Sequence, residues 1–239
     1  MTRRRWIADE VSENRAALIG HHADHLVRVL RARVGQEFDI VADAAVRRGR
    51  IVRIAENRVD FELGEETPAA ALVDLTLLLS IFKFDRFEWA IEKCTELGVK
   101  KIIPVIARRT DTHLASASGK RVERWRRIAV QSAEQSRRTA PPEIADPMKL
   151  QEALRIPGKL RIVLSESEQQ TRLRDLFAGS EDEDIDAALA IGPEGGWTED
   201  ELQLFATAGW TSVSLGSTIL RAETAAIAAT ALTLSLLND

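Results

Sequence analysis

Two glycine-rich corners hold the residues whose types and spacing can do chemistry. The first is Ala190 to Glu201, A-I-G-P-E-G-G-W-T-E-D-E. It closes an apolar run, Ala187 to Ile191, that reads as a buried strand, then turns through Gly192, Pro193, Glu194, Gly195 and Gly196. Thr198 follows with Glu201 three residues on, the signature of a capping box, so the chain runs strand, glycine loop, helix. Such a loop bares its backbone N–H and C=O groups, and a flat or polar ligand can lie against them. A plain strand-to-helix turn is the alternative. No Gly-Lys-Ser/Thr follows, so this is no ordinary phosphate loop, and Pro193 between Gly192 and Glu194 breaks the dinucleotide pattern. The second corner is Leu215 to Thr224, L-G-S-T-I-L-R-A-E-T. It predicts a strand end, a turn at Gly216, and a helix from about Ile219 with Arg221 and Glu223 in its first turn. A glutamate suits that end of a helix and an arginine does not. Arg221 is therefore the stronger functional candidate, with a carboxylate, a phosphate or a developing negative charge as its natural partner.

The elements that must position these corners follow from hydrophobic patterning. Residues 1–70 read as a small β-rich unit. A strand at Arg3–Ile7, a short amphipathic helix over His22–Arg31, and alternating stretches at Glu37–Ala42, Arg50–Ile54 and Arg58–Leu63 suggest a barrel or sandwich. The proline-bearing segment Gly64–Ala71 marks the boundary. Beyond it, apolar runs at Leu75–Ile81, Lys101–Ile106, Leu160–Leu164, Ala187–Ile191 and Ser212–Leu215 alternate with helical patterns at Phe84–Leu97, Lys120–Arg137, Thr198–Thr207 and Ile219–Leu237. That alternation predicts an α/β domain, 71–239, with a mostly parallel sheet covered on both faces. Ligands of such sheets bind beyond the carboxyl ends of strands, where Leu164-Ser165-Glu166 and both glycine corners lie.

The 239 residues carry a net charge of −4, with 45% hydrophobic and 29% charged residues, as a globular protein does. The charge is unevenly spread. Lys83 to Arg138 holds 14 Lys/Arg against 7 Asp/Glu, and Glu143 to Glu201 holds 6 against 15. A basic face can bind a polyanion although the whole molecule is acidic. Arg3, Arg4, Arg28 and Arg31 add a second basic group suited to phosphates. The single cysteine, Cys94, excludes an intrachain disulfide and reads as a core thiol in a reducing, cytoplasmic setting. The four histidines show no metal-ligand spacing, and no metal is expected. Neither a signal peptide nor a membrane span is expected, because the longest apolar tract, Thr224–Leu237, is broken by Thr and Ser and is too short.

Read together, the motifs resemble the RsmE family of ribosomal RNA methyltransferases in the SPOUT superfamily. The resemblance rests on Arg3-Arg4; His25-Leu26 with Val29-Leu30-Arg31 and Gly35; Lys83, Arg86 and Glu88; Lys93 with Glu96-Leu97-Gly98-Val99; and Arg109. It continues through Trp125 and Ile128, Ala133-Glu134-Gln135-Ser136 with Arg138, and Pro142, and ends on the two glycine corners, its most specific part. It implies an N-terminal PUA-like β-barrel that helps bind RNA. It also implies a C-terminal SPOUT α/β domain with a trefoil knot, through which the chain forms a homodimer. The implied activity is methyl transfer from S-adenosylmethionine to N3 of a uridine in 16S ribosomal RNA of the small subunit.

On that reading the cofactor is held by Leu164, Ser165, Glu166, Ile191, Gly192, Pro193, Glu194, Gly195, Gly196, Leu215, Gly216, Ile219, Leu220 and Thr224. The RNA is gripped by Arg3, Arg4, His25, Arg28, Arg31, Lys83, Arg86, Arg109, Arg137 and Arg138. Arg221 stabilises charge developing on the base, and Glu223 is the candidate proton acceptor. Two departures stand out. Thr218 occupies a place where the family often has Arg. The barrel hairpin reads Asp43-Ala44-Ala45-Val46-Arg47 without the usual glycines, so a wider loop is expected there. A chain that kept only the basic face would be a non-catalytic RNA binder, and titration with S-adenosylmethionine separates the two.

Overall fold

The structure, a computed structural model, describes residues 5–43, 45–67, 74–136, 138–177 and 186–237. It divides into two compact units, residues 1–71 with 133–140, and residues 72–132 with 141–239.

The first unit is a six-stranded sheet curled into a half-barrel. Its strands are β1 (Arg5–Ile7), β2 (Glu10–Ser12), β3 (Arg15–Ile19), β4 (Glu37–Ala42), β5 (Ala45–Ala55) and β6 (Arg58–Thr67), in the order β1-β4-β5-β6-β3-β2. Only β1 and β4 pair in parallel. Leu18, Leu26, Ile40, Ile51, Val59 and Phe61, all almost completely buried, form its core. Strands β2 and β3 are absent from the sequence reading: β2 is three residues with a single apolar one, and β3, R-A-A-L-I, runs its apolar residues together without the alternation of a half-buried strand. The predicted helix is one α-turn, α1 (His21–Asp24), continued by a π-helical turn over His25–Val29.

The hairpin at Asp43 is tighter than expected. Ala42 lies directly opposite Ala45, and Asp43 takes the left-handed conformation with φ 50°; Ala44 lies outside the described residues. Aspartate tolerates that conformation better than most residues, which lets the turn close without glycine.

The histidines also meet more closely than their spacing suggests. His21, His22 and Glu134 bring ligand-type atoms within 4.8 Å of one another. Both ring nitrogens of His22 face carboxylates, Nε2 to Glu134 at 3.1 Å and Nδ1 to Asp9 at 3.1 Å. That is the arrangement of a protonated imidazole. The hydrogen bond to Glu134, helped by the one to Asp9 and opposed by burial, raises its pKa to about 9 from 6.5. A raised pKa stabilises the fold fully below pH 6.5, and the contribution is lost as pH rises through about 9. We expect the wild-type protein to lose roughly 2 kcal/mol between pH 6.5 and 9.5 relative to His22→Gln. Parallel denaturation curves for the two proteins over that range would refute the pairing.

The second unit is built on a parallel sheet. Its strands are β7 (Leu75–Ser80), β8 (Lys101–Ile106), β9 (Glu143–Ile144), β10 (Met148–Lys149), β11 (Leu160–Leu164), β12 (Ala187–Ile191) and β13 (Thr211–Val213). The order is β10-β8-β7-β12-β11-β13, with β9 also on β8. Strands β9 and β10 act as one interrupted edge, and Pro104, which has no N–H to donate, falls opposite the break. The central strands are buried on both faces, which explains why β7 and β12 read as unbroken apolar runs.

On one face, Leu75, Leu77, Leu79, Leu189 and Ile191 pack under α2 (Phe84–Leu97), α4 (Val122–Gln135) and α7 (Ala222–Leu237). On the other, Leu78, Ala188 and Ala190 pack against α5 (Leu150–Ala153) and α6 (Glu199–Thr207) with Trp197, Phe205 and Trp210. A further helix, α3 (Thr112–Ser118), capped by Asp111, precedes α4 through a short 3-10 turn.

Helix α2 buries Phe87, Ala90, Ile91 and Cys94 and ends at Gly98 in the left-handed conformation. Leu97, the last residue of the helix, is 39% exposed. Burial pushes the Cys94 thiol up to about 12, so it is the inert core group its pattern predicts. Among the described residues no helix is long and apolar enough to cross a membrane.

Candidate functional site

The carboxyl ends of β12, β11 and β13, three neighbouring parallel strands, open onto one cleft of about 850 Å³ that merges with solvent. Its walls are the segment after β11 (Leu164 to Ser167), the first glycine corner after β12, the second after β13, and the first turns of α7 at Ala222 and Ala225. Both glycine corners therefore serve one space, as binding beyond the carboxyl ends of a parallel sheet requires.

Twelve of the fourteen residues expected to hold a cofactor line this cleft: Leu164, Ser165, Glu166, Ile191, Gly192, Pro193, Glu194, Gly196, Leu215, Gly216, Ile219 and Leu220. Gly195 and Thr224 do not. Thr224 lies exposed in the first turn of α7. Gly195 faces away, and Arg109 sits behind it: a Cβ there would meet Arg109 Cδ at 3.3 Å. Sequence reading missed Ser167, Trp197, Leu202, Ser214, Thr218, Ala222 and Ala225. Trp197 was visible within the first motif. Thr218 lies within the second motif. Ser167 and Ser214 follow strands β11 and β13, and Leu202, Ala222 and Ala225 enter through the packing of α6 and α7; none of these five carries a local chemical signal.

The first corner is held in shape from several sides. The Thr198 hydroxyl accepts from the Glu201 N–H, and the Glu201 carboxylate accepts from the Thr198 N–H, completing the capping box. The same carboxylate accepts from the Arg108 N–H at 2.7 Å. The Arg109 guanidinium donates to the carbonyls of Gly195 and Trp197. The Trp197 indole donates to the Leu164 carbonyl at 3.1 Å, fastening the loop to the end of β11.

Gly196 has φ 69°, and a Cβ there would sit 2.8 Å from a Glu166 carboxylate oxygen. Gly196→Ala should cost about 1 kcal/mol of stability through backbone strain and displace Glu166 in the cleft. We expect cofactor affinity, read by isothermal titration, to fall roughly tenfold, equivalent to about 1.4 kcal/mol. Unchanged affinity would mean that this corner does not bear on the ligand.

The residues present suit an adenosyl sulfonium. Leu164, Ile191, Leu215 and Leu220 with bare backbone offer an apolar slot. Among the described residues no lysine or arginine lines the cleft, and Glu166 and Glu194 are its only charged groups, so a cation meets no like charge there.

Arg221 and Glu223 stand beside the cleft rather than in its lining. Helix α7 starts at Ala222, three residues later than the sequence predicts, which makes Arg221 the residue before the helix. Its carbonyl accepts from the Ala225 N–H at 2.8 Å, and its side chain is exposed. Glu223 is 5% exposed. One of its oxygens lies 3.7 Å from Arg86 Nε; the other, Oε2, is buried with no hydrogen-bond partner. Arg86 in turn donates to Glu194, a cleft residue, at 3.1 Å.

The residues expected to grip RNA separate into groups. His25, Arg28, Arg31 and Lys83 are exposed, with Arg28 paired to Asp24. Arg86 and Arg109 are engaged by the protein itself, as just described. Arg138 is buried, and burial lowers its pKa, so it does not meet a surface phosphate in this structure. Arg3, Arg4 and Arg137 lie outside the described residues. The basic surface expected on Lys120–Arg137 is also partly neutralised. Arg124 makes a bidentate pair with Glu88, and Arg126 pairs with Glu123 and Asp146.

Comparison with known proteins gives the same direction. A family model described as an RNA methyltransferase domain matches residues 69–234. A ribosomal RNA small subunit methyltransferase E from Rickettsia conorii is 34% identical over 88% of this chain and 85% of its own length. The protein of the same name from Synechocystis sp. is 32% identical over 91% of this chain and 72% of its own. Among solved structures, a ribosomal RNA small subunit methyltransferase E from Neisseria gonorrhoeae bound to S-adenosyl methionine superposes with TM-score 0.82. It shares 28% identity and covers 98% of both chains.

Proposed function

We propose, on the premise that the chain belongs to the RNA methyltransferase family and within it to the ribosomal RNA small subunit methyltransferases E, that it methylates N3 of a uridine in 16S ribosomal RNA. The observation that carries this reading is the single cleft shared by both glycine corners, with a buried carboxylate beside it. Leu164, Ile191, Leu215 and Leu220 with the bare backbone of both corners would hold S-adenosylmethionine, which would supply an electrophilic methyl group.

The chain's own residues do the rest. Uracil N3 must lose its proton to become a nucleophile, and the Oε2 oxygen of Glu223 accepts it. Negative charge spreads to the ring carbonyl oxygens, and the guanidinium of Arg221 stabilises it. Holding both reactants in line supplies a further share of the rate. Leu164, Ile191, Leu215 and Leu220 seat the adenine, and Trp197 fastens the first loop to the end of β11.

The RNA is held electrostatically, through the exposed His25, Arg28 and Arg31 of the first unit and Lys83 of the second. Residues 1–70 are the PUA-like RNA-binding domain, and residues 71–239 are the SPOUT methyltransferase domain with its knot. Trp89, Leu97 and Leu232, exposed by 39–48% on α2 and α7, support a homodimer that covers them. The enzyme works in the cytoplasm on small ribosomal subunits.

Nucleosides from the small-subunit RNA of a strain lacking the gene test the assignment by mass spectrometry. We expect N3-methyluridine to be missing and to return when the purified protein and S-adenosylmethionine are added to those subunits. Its persistence in the strain would refute the substrate.

A further inference from the structure

We infer that Arg86 is a positioning residue that couples the first glycine corner to the proton-accepting carboxylate, and that it does not serve as a phosphate contact. The inference rests on the role proposed above for Glu223.

Arg86 lies in the first turn of α2, where the helix dipole disfavours a cation. Two carboxylates from distant parts of the chain hold it there. Its Nη1 donates to Glu194 Oε1 at 3.1 Å, and its Nε approaches Glu223 Oε1 at 3.7 Å. Glu194 lines the cleft on the first corner, and Glu223 lies in the first turn of α7. The guanidinium is planar and presents its donors in a fixed fork. Engaging Glu223 through one oxygen turns the other, Oε2, to a fixed place. That oxygen is buried and has no hydrogen-bond partner, as a group awaiting a substrate N–H would be.

A carboxylate this deeply buried needs a nearby cation. Among the described residues Arg86 is the cation paired with Glu223. The fork ties that pairing to Glu194, so the loop that walls the cofactor cleft and the group that takes the proton are set by one side chain. A phosphate-binding arginine would instead offer its fork to solvent, as Arg31 does.

Three measurements on the full-length protein, with small subunits from a strain lacking the gene as substrate, test this. Arg86→Gln should lower kcat by about 10–100-fold, leave the Kd for S-adenosylmethionine within about threefold, and leave the salt dependence of RNA binding unchanged. Arg86→Lys, which restores the charge without the fork, should lie between Arg86→Gln and wild type in kcat. Glu194→Gln should lower kcat in the same direction, and combining it with Arg86→Gln should cost less than the product of the two single effects.

A salt slope reduced by about one, with kcat unchanged at saturating RNA, would assign Arg86 to a phosphate and overturn the inference. Loss of cofactor binding in step with kcat would show a merely structural role and also overturn it. If Arg86→Gln loses its cooperative melt, the Lys variant decides: a lowered kcat at unchanged Kd and salt slope supports the inference, and a wild-type kcat refutes it. An active wild type whose Glu223→Gln variant keeps its rate would instead defeat the reading of Glu223 on which this rests, whereas a slowed Glu223→Gln beside an unaffected Arg86→Gln defeats this inference alone.

Discussion

Glu223→Gln should slow methyl transfer by about 10²–10⁴-fold, the range expected when a positioned general base is removed. The substitution keeps the side chain's size in a site that is 5% exposed, so packing against α2 changes little. It removes the ability to take a proton, and it replaces a charged partner of Arg86 with a neutral one. The cleft lining does not include Glu223, so the Kd for S-adenosylmethionine should stay within about threefold of wild type. The two quantities are separable by single-turnover methylation of saturating subunits and by calorimetric titration. A rate within fivefold of wild type would move the proton to another acceptor, with water the first alternative.

Replacing Arg221 by Ala should cost about 10²–10³-fold in kcat, the usual loss when one stabiliser of developing charge is removed. Arg221 is the residue before α7. Its backbone carbonyl is used by the helix, while its side chain is exposed. Among the described residues no ion pair is formed by it. A cation left unpaired at the positive end of a helix is costly, and removing it should leave the melting temperature unchanged or slightly higher. Cofactor affinity should fall far less than turnover. Equal losses in both would show that Arg221 shapes the cleft wall through Leu220 and Ala222, its lining neighbours, and does no chemistry.

Much of the second unit was legible because its signals are local. The apolar runs of β7, β8, β11 and β12 are long enough to be read as buried strands. Thr198 and Glu201 announce the start of α6, and Gly98 announces the end of α2. What escaped was set by distant partners. Strands β9 and β10 hold two residues each and exist only because β8 offers them an edge. Ala222 and Ala225 enter the cleft because α7 packs beside β12, and Ser214 because it follows β13 at the sheet's edge; no pattern of their own encodes either. The basic residues misled for a related reason. Composition reports that Arg86, Arg109 and Arg138 are cations, but only the folded chain shows which are paired, hydrogen-bonded or buried. The start of α7 was placed early because Ile219 and Leu220 continue the apolar pattern of the helix. In the structure Ile219 is 79% exposed and belongs to the loop.

Strand β7 sits in the middle of its sheet, with β8 on one side and β12 on the other, so Leu75 must wait for Ala187 to be its neighbour. During synthesis the leucines of β7 emerge from the ribosome long before the strand that will cover their second edge. An apolar half-sheet invites aggregation during that interval. The cleft draws its walls from residues 164 to 225, so it closes only after most of the chain has been made.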